Sequence, residues 1–228
     1  MKAGVDHPRL VVFDFDNTLY GGDSGTQFVG WLLRRNWWRM IVALLISPVI
    51  APLWLDTRGR RRAISAYLWI GSVGLRQGEM DSVVDRYATI RLRWLNSRLR
   101  PRGVDTLEMY RHGGDHVVVV TGAPFELVRT ILATELRNRV PVVGSTSRRF
   151  MGGLVLDQHC YGPQKLVLLC DAGYTAPVDI AYGDNVMDLP LLTHAAKPIV
   201  VNPRVRDLPA FHKTLGKNVE IQDWCRRR

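Results

Sequence analysis

Cysteine is scarce in this sequence, with three residues in a chain of 228. Cys160, Cys170 and Cys225 are odd in number and lack metal-ligand spacing, which argues against a disulfide framework and favours a reducing compartment. Repeats and low-complexity linkers are also missing, and the length is sufficient for a core of its own. The first apolar run, Leu10 to Phe13, is too short for a signal peptide.

Acidic residues and lysine are rare in one part of the chain, where arginine is abundant. Between Trp31 and Arg102 there are 14 arginines, no lysine and four acidic residues, so this interval carries +10, the formal net charge of the whole chain. It also holds six of the seven tryptophans. The sequence therefore predicts a basic, tryptophan-rich insert within an otherwise neutral protein.

No apolar run reaches the length of about 20 residues that a straight transmembrane helix needs. The longest uncharged stretch is MIVALLISPVIAPLWL (40–55), which has 16 residues and contains Pro48 and Pro52. Arginines flank it on both sides, at 34, 35 and 39 and at 58, 60, 61 and 62, and tryptophans lie at 37, 38 and 54. Three interpretations stay open: a buried core helix, a monotopic or re-entrant anchor, and a single span.

Apolar β-rich runs alternate with helical patterns, which predicts an open, mostly parallel α/β sheet. The predicted strands are Leu10–Phe15, Val117–Thr121, Val140–Val143, Val178–Tyr182 and Ile199–Val201, with a hairpin at Phe150–His159. The predicted helices are Gly103–Arg111, Glu126–Arg137, Gln164–Asp171 and Val186–Ala195, and the insert after the first strand is also expected to be helical.

Polar groups end several of these strands. In VVFDFDNTLY, Asp14 and Asp16 are two residues apart and point to the same side of a strand. The other groups are Thr121 and Gly122 in VVVVTG, Lys165 at a helix start, and Asp184 and Asp188 in GDNVMD. Ligands of open α/β sheets bind outside the carboxyl ends of the strands. Each motif alone can be explained without a functional role, as a turn, a helix cap or a surface residue. Together and in this order, the motifs predict one site.

The residue types favour phosphoryl transfer. One carboxylate can attack phosphorus, and a second can protonate the leaving oxygen and later activate water. Mg²⁺ held partly by Asp184 would relieve the repulsion between carboxylates, while Thr121, Gly122 and Lys165 can hold the phosphate oxygens.

These motifs resemble those of the haloacid dehalogenase-like phosphatase superfamily, over essentially the whole chain. The resemblance implies Asp14 as the nucleophile that forms an aspartyl-phosphate and Asp16 as the general acid and base. It implies Mg²⁺ bound by the Asp14 side chain, the Asp16 backbone carbonyl and Asp184, with Asp188 supporting the site. The dehalogenases of the superfamily lack the second aspartate, so Asp16 indicates a phosphate substrate.

The insert resembles the helical cap of the phosphoserine phosphatase-like branch. The predicted division is therefore a Rossmann-like core (1–22 and 103–228) and a helical cap (23–102). In that branch an acidic residue at the position of Asp23 contributes to substrate recognition, although Asp23 is equally suited to cap a helix starting near Gly25.

Within the branch, the cap is most similar to that of the phosphatidylglycerophosphatase C family. The matching segments include WLLRR (31–35), TRGRRR (57–62) and YLWIGSVG (67–74). This implies an anionic phospholipid substrate and a place at the cytoplasmic face of a bacterial inner membrane. The alternatives are a soluble phosphatase acting on a metabolite such as phosphoserine, a phosphatase of nucleic-acid ends and a non-catalytic membrane scaffold. The sequence contains no nucleic-acid-binding motif, so no nucleic-acid partner is expected.

Overall fold

The first strand, β1 (Leu10–Asp14), is buried along its whole length and lies at the centre of the sheet. The structure is a computed structural model, and it describes residues 7–76, 78–136 and 139–225. Strand β1 pairs in parallel with β2 (His116–Pro124) and with β5 (Val178–Gly183). Its first four residues are continuously apolar, as expected of a strand that is covered on both faces.

Seven strands form one sheet in the order β4-β3-β2-β1-β5-β6-β7 in the part of the chain that is described. The remaining strands are β3 (Val142–Phe150), β4 (Gly153–Gln158), β6 (Ala195–Val201) and β7 (Glu220–Gln222). All neighbours run parallel except β3 and β4, which form an antiparallel hairpin at one edge. The predicted α/β class with a mostly parallel sheet is therefore confirmed.

A helical insert follows β1. It consists of α1 (Ser24–Arg34), α2 (Trp37–Ile50), a 3-10 helix (Ala51–Leu55), α3 (Thr57–Ser72) and α4 (Glu79–Asn96). Helix α4 packs against the helix that follows β2 (Phe125–Glu135), and α3 runs along the edge strand β4. The insert thus covers the sheet at two places.

The other helices connect the strands. They are α5 (Pro101–His112), α6 (Phe125–Glu135), α7 (Gln164–Asp171), α8 (Leu189–His194) and α9 (Leu208–Leu215), with short 3-10 helices at Val186–Asp188 and Val205–Asp207. Apolar side chains on the two faces of the sheet form separate clusters, because alternate residues of β1, such as Val11 and Val12, point to opposite sides. The carboxyl ends of the parallel strands between these layers form the edge that carries the polar motifs.

Several predicted boundaries differ from the observed ones. Strand β3 begins at Val142 and runs on through Phe150, so it supplies the first arm of the predicted hairpin. The predicted helix Val186–Ala195 is divided into a 3-10 turn and α8, with Pro190 in the first turn of α8. Arg137, the last residue of another predicted helix, lies outside the described residues.

The apolar stretch 40–55 is exposed in the structure, so its interpretation as a buried core helix is wrong. Within Trp37–Leu55, only 17% of an 18-residue window is buried inside the protein. By length and composition this is the one helix in the described residues that could cross a membrane. Pro48 lies inside α2, and Pro52 lies in the first turn of the 3-10 helix that follows.

Candidate active site

Lys165 and three aspartates meet at the carboxyl edge of the sheet. Asp14 ends β1, Asp184 follows β5, Asp188 ends the next 3-10 helix and Lys165 lies in the first turn of α7. All four side chains are buried, with relative exposures of 5% or less. The predicted site residues from three separate stretches are therefore brought together.

The Lys165 ammonium links two of the carboxylates. Its Nζ donates to Asp14 Oδ1 and to Asp188 Oδ1, each at 2.5 Å. The other oxygen of Asp188 accepts from the backbone amides of Asp184 and Asn185, both at 3.3 Å. An ammonium carries three protons, so one donor of Lys165 is left for a further oxygen.

Asp16 lies beside this cluster but has different partners. Its Oδ1 accepts from the backbone amide of Ser24, at 2.8 Å, at the start of α1. The chain turns sharply after it, because Asn17 adopts a left-handed φ of 64° that asparagine tolerates better than most residues. Asp16 is less buried than Asp14, so its carboxyl group is better placed to exchange protons with an incoming group.

Thr121 and Gly122 lie where β2 is irregular. The pairing of β2 with β3 shifts between Thr121 and Pro124, and this bulge takes Gly122 out of the regular ladder. Thr121 is fully buried, and its Oγ1 accepts from the amide of Ala123 at 3.1 Å, which leaves the hydroxyl proton available. Bulges of this kind re-aim backbone groups toward a site.

Asp23 caps a helix, as one of its two interpretations predicted. Its Oδ1 accepts from the backbone amide of Thr26 at 2.7 Å, and α1 begins at Ser24. Its charge also acts on Asp16, whose pKa it helps to raise. A role of Asp23 in substrate recognition stays a prediction.

Burial dominates the protonation of the carboxylates. It raises the pKa of Asp14 to about 7, against the lowering effect of Lys165. Burial and the Asp23 charge raise the pKa of Asp16 to about 7, and burial with the Asp14 charge raises that of Asp184 to about 8. Burial alone would lower the pKa of Lys165, but Asp14 and Asp188 raise it well above its usual value. The single positive charge of Lys165 is therefore not enough to keep all of these buried carboxylates ionised at neutral pH.

These residues fit a magnesium ion. Asp14, Asp184 and Asp188 each offer an oxygen, and the three oxygens lie within 4.8 Å of one another. Asp14 Oδ2 is buried and has no hydrogen-bond partner among the described residues. Buried carboxylate oxygens without donors are suited to a hard divalent cation, which would also stabilise their charged form.

Two further groups near the site were not predicted. Asn185 Nδ2 donates to Asp184 Oδ1 at 3.1 Å and so orients that carboxylate. Arg60, at the start of α3, donates to the hydroxyl of Tyr161, and its guanidinium lies 5.3 Å from the centre of the Tyr161 ring. Tyr161 stands beside Gly122, where an added Cβ would lie 3.8 Å from the ring. The sequence offers no signal for a contact between residues 101 positions apart.

A profile of the family "haloacid dehalogenase-like hydrolase" matches residues 11–193. The chain belongs to this family. It is therefore a hydrolase, and its site has the charged groups of a phosphatase. The family assignment agrees with the resemblance found in the motifs.

Relatives of this haloacid dehalogenase-like chain match it over most of its length. Protein CicA of Caulobacter vibrioides is 29% identical over 86% of this chain and 87% of its own length. A protein of Mycobacterium tuberculosis named phosphoserine phosphatase SerB1 is 23% identical over 89% of this chain and 67% of its own length.

Solved structures share the fold. A Bordetella pertussis Tohama I protein of unknown function has a TM-score of 0.73 at 19% identity, covering 95% of this chain and 99% of its own. A phospho-aspartyl intermediate analogue of phosphoserine phosphatase has a TM-score of 0.58 at 14% identity, covering 96% and 94%. At these identities the likeness concerns the fold alone.

Proposed function

We propose that the protein is a magnesium-dependent phosphomonoester hydrolase that acts through an aspartyl-phosphate on Asp14. The observation that carries this proposal is the buried pair of Lys165 and Asp14, joined at 2.5 Å beside two further aspartates. Lys165 holds one oxygen of Asp14, while the other oxygen has no partner. Lys165 thereby fixes the carboxylate through one oxygen, and the other oxygen is bound to no protein donor among the described residues.

In the proposed first step, an Asp14 oxygen bonds to phosphorus and the bond from phosphorus to the ester oxygen breaks. Asp16 donates its proton to that departing oxygen, so the alcohol leaves neutral. In the second step a water oxygen attacks phosphorus, Asp16 takes a proton from the water, and the bond to Asp14 breaks to release phosphate. A pKa near 7 suits Asp16 to both roles at neutral pH.

The surrounding residues would hold the phosphate. The free proton of Lys165, the hydroxyl of Thr121 and the amide of Gly122 are the proposed donors to its oxygens. Magnesium would be held by Asp14, Asp184 and the backbone carbonyl of Asp16, with Asp188 positioning Lys165 and the loop after β5. When bound, the ion neutralises charge on the phosphate and on the carboxylates.

The proposed substrate is a phosphorylated membrane lipid, phosphatidylglycerophosphate by the resemblance of the cap. The exposed apolar residues of α2 and the 3-10 helix support a protein that works at a membrane. The proposed place, the cytoplasmic face of a bacterial inner membrane, rests on the resemblance of the cap. Arg60 supports an anionic substrate: it forms no ion pair with a described acidic residue, and its Nε is buried without a hydrogen-bond partner. A soluble ester such as phosphoserine is the second candidate, favoured by the name of the mycobacterial relative.

A substrate comparison tests the proposal. The purified protein would be assayed for phosphate release from phosphatidylglycerophosphate in mixed micelles, from phosphoserine and from p-nitrophenyl phosphate, with magnesium and with EDTA. We expect phosphate release that depends on magnesium, with the highest kcat/KM for the lipid. A higher kcat/KM for phosphoserine would favour the soluble candidate, and no release from any ester would contradict the phosphatase assignment.

A further inference from the structure

Helix α2 and the 3-10 helix after it expose one continuous apolar face. This apolar face is defined by six side chains that are 47–91% exposed: Trp37, Ile41, Leu44, Leu45, Val49 and Leu55. Along α2 these positions fall on one side, since three of the four steps from Trp37 to Val49 are of three or four residues. No charged residue interrupts the stretch 40–55.

The opposite side of α2 is bound to the rest of the insert. Arg39 is buried, and its guanidinium donates to the carbonyls of Gly71 and Val73 at the end of α3. One turn before the end of α2, Ser47 Oγ lies 2.8 Å from the Tyr67 hydroxyl. Ala43, between these polar contacts, and Ile50, after them, are buried. A helix that crossed the bilayer apart from α3 would have to give up all of them, including both carbonyl partners of Arg39.

The far end of the segment is fixed as well. The backbone of Leu53 lies against Gly59 so closely that a Cβ at position 59 would collide with the Leu53 carbonyl. Asp56 joins the two helices, because its Oδ2 accepts from the Gly59 amide at 3.2 Å. The apolar segment is therefore held to α3 at its start, in its middle and at its end.

The borders of the apolar face have the chemistry of an anionic membrane surface. Arg34 and Arg35 before the segment and Arg62 after it are exposed, and Trp38 and Trp54 are 39% and 40% exposed. Arginine and tryptophan in these positions suit lipid headgroups. A second copy of the chain is a poor occupant, since the interval from Trp31 to Arg102 carries +10 and would face its own charge.

Three of the arginines that flank the apolar stretch are bound within the protein. Arg39 binds carbonyls, Arg60 binds Tyr161, and Arg61 donates to the carbonyl of Asp157. The side chain of Arg58 lies outside the described residues. The headgroup contacts therefore fall to the exposed arginines.

We infer that α2 and the 3-10 helix bind an anionic lipid bilayer through the apolar face alone, as a one-sided surface anchor and not as a span. The inference rests on the proposed function and deepens it, because it names the surface that would bring a lipid phosphate to the site. The anchor ends four residues before Gly59, whose neighbour Arg60 contacts Tyr161 beside Gly122. The lipid surface and the catalytic edge are thus separated by one turn of helix and one side-chain contact.

A matched pair of variants tests the anchor. Val49 and Val205 are 78% and 82% exposed, but Val205 lies in a 3-10 helix after β6, far along the chain from the insert. Co-sedimentation would measure the affinity for vesicles of phosphatidylglycerol and phosphatidylcholine. This affinity should fall about tenfold or more for Val49→Asp and less than about twofold for Val205→Asp. Ile46 is unsuitable for this test because it packs partly buried against the insert.

Equal binding by the two variants, with circular dichroism showing both folded, would overturn the anchor. So would a change of oligomeric state in Val49→Asp without any change in vesicle binding, since that would indicate a protein partner. If the parent protein bound vesicles but released no phosphate from any ester, only the proposed function would fail.

A labelling experiment separates an anchor from a span. Asn36 and Arg62 are exposed on the two sides of the segment. In a background with Cys170 and Cys225 replaced by serine, Asn36→Cys and Arg62→Cys would be treated with a membrane-impermeant maleimide in inverted inner-membrane vesicles. We expect both to react without detergent. Reaction of one of them only after detergent would show that the segment crosses the membrane and would overturn the inference.

Discussion

Lys165 Nζ lies 2.5 Å from Asp14 Oδ1 and at the same distance from Asp188 Oδ1, in a site that is closed to solvent. This arrangement places one fixed cation between the proposed nucleophile and an aspartate that is itself held by two backbone amides.

Replacing Asp14 by asparagine should abolish turnover, because an amide cannot act as the attacking anion. We expect kcat for p-nitrophenyl phosphate to fall by about 10³-fold or more. Asp171→Asn, at an exposed position at the end of α7, is the matched control and should keep the parent rate. Substantial turnover by the Asp14 variant would remove Asp14 as the nucleophile.

Asp16→Asn should separate the two chemical steps. Asparagine retains an oxygen that can accept from the Ser24 amide, so the loop geometry is preserved while proton transfer is lost. With a good leaving group, which needs little protonation, the phospho-enzyme should still form. Its hydrolysis should slow by about 10²–10⁴-fold. Rapid quenching with labelled substrate would measure both steps, and a variant that accumulates no phospho-enzyme yet turns over normally would exclude the assigned role.

Asp184→Ala should weaken magnesium binding. The variant removes one of three clustered carboxylate oxygens, so the concentration of magnesium giving half-maximal activity should rise, with partial recovery at excess metal. Asp179→Asn provides the comparison, because Asp179 lies in the same strand region but accepts from the Leu10 amide instead. Identical metal titrations for Asp184→Ala and the parent would show that Asp184 is not a ligand.

The stability of the metal-free protein should depend on pH. Burial raises the pKa of Asp14 and Asp16 to about 7 and that of Asp184 to about 8, from 3.8 in the unfolded chain. The folded state therefore binds more protons, and the stability these groups contribute is present below pH 3.8 and is lost as the pH rises through 7 to 8. Magnesium should oppose this loss, since it binds the charged carboxylates.

Thermal unfolding with magnesium and with EDTA would measure this effect. The rise in Tm caused by magnesium should be larger at about pH 8 than at about pH 5.5, and Asp184→Asn should reduce the difference. A magnesium effect that is the same at both pH values would contradict the raised pKa values.

Ser72→Ala should destabilise the contact between α3 and β4. The Ser72 hydroxyl is buried, donates to the Leu68 carbonyl and accepts from the Leu154 amide at 2.8 Å. Removing it leaves that amide unpaired, which costs about 1–3 kcal/mol. Urea unfolding would measure the loss, and Ser82→Ala, at an exposed position of α4, should change the free energy of unfolding by less than about 0.5 kcal/mol. Equal effects of the two changes would show that the Ser72 bond is not needed.

The sheet and the cluster at its edge were predictable because parallel strands deliver their carboxyl ends to one side. Asp14 and Asp184 are 170 residues apart, yet the topology rule places both at that edge. Helix α9 and strand β7 were missed. Strand β7 has only three residues, and its side chains are exposed or half-buried. A strand of this kind has no continuous apolar pattern.

The binding partners of the arginines in the insert could not be predicted. Composition marks Arg39, Arg60 and Arg61 as basic flanks of an apolar stretch, but it does not distinguish an arginine that binds a carbonyl from one that faces lipid. The distinction depends on which carbonyls and hydroxyls the folded chain places within reach, and those partners come from α3, β4 and the loop before α7.

Strand β4 is the last strand at its edge of the sheet, and α3 covers it. The hydroxyls of Ser65 and Ser72 accept from the amides of Leu156 and Leu154, two outward donors that would otherwise be free to pair with another chain. The insert is therefore also the protection of the catalytic sheet against aggregation. An attempt to excise residues 23–102 would expose a bare edge and give a core prone to stacking on itself.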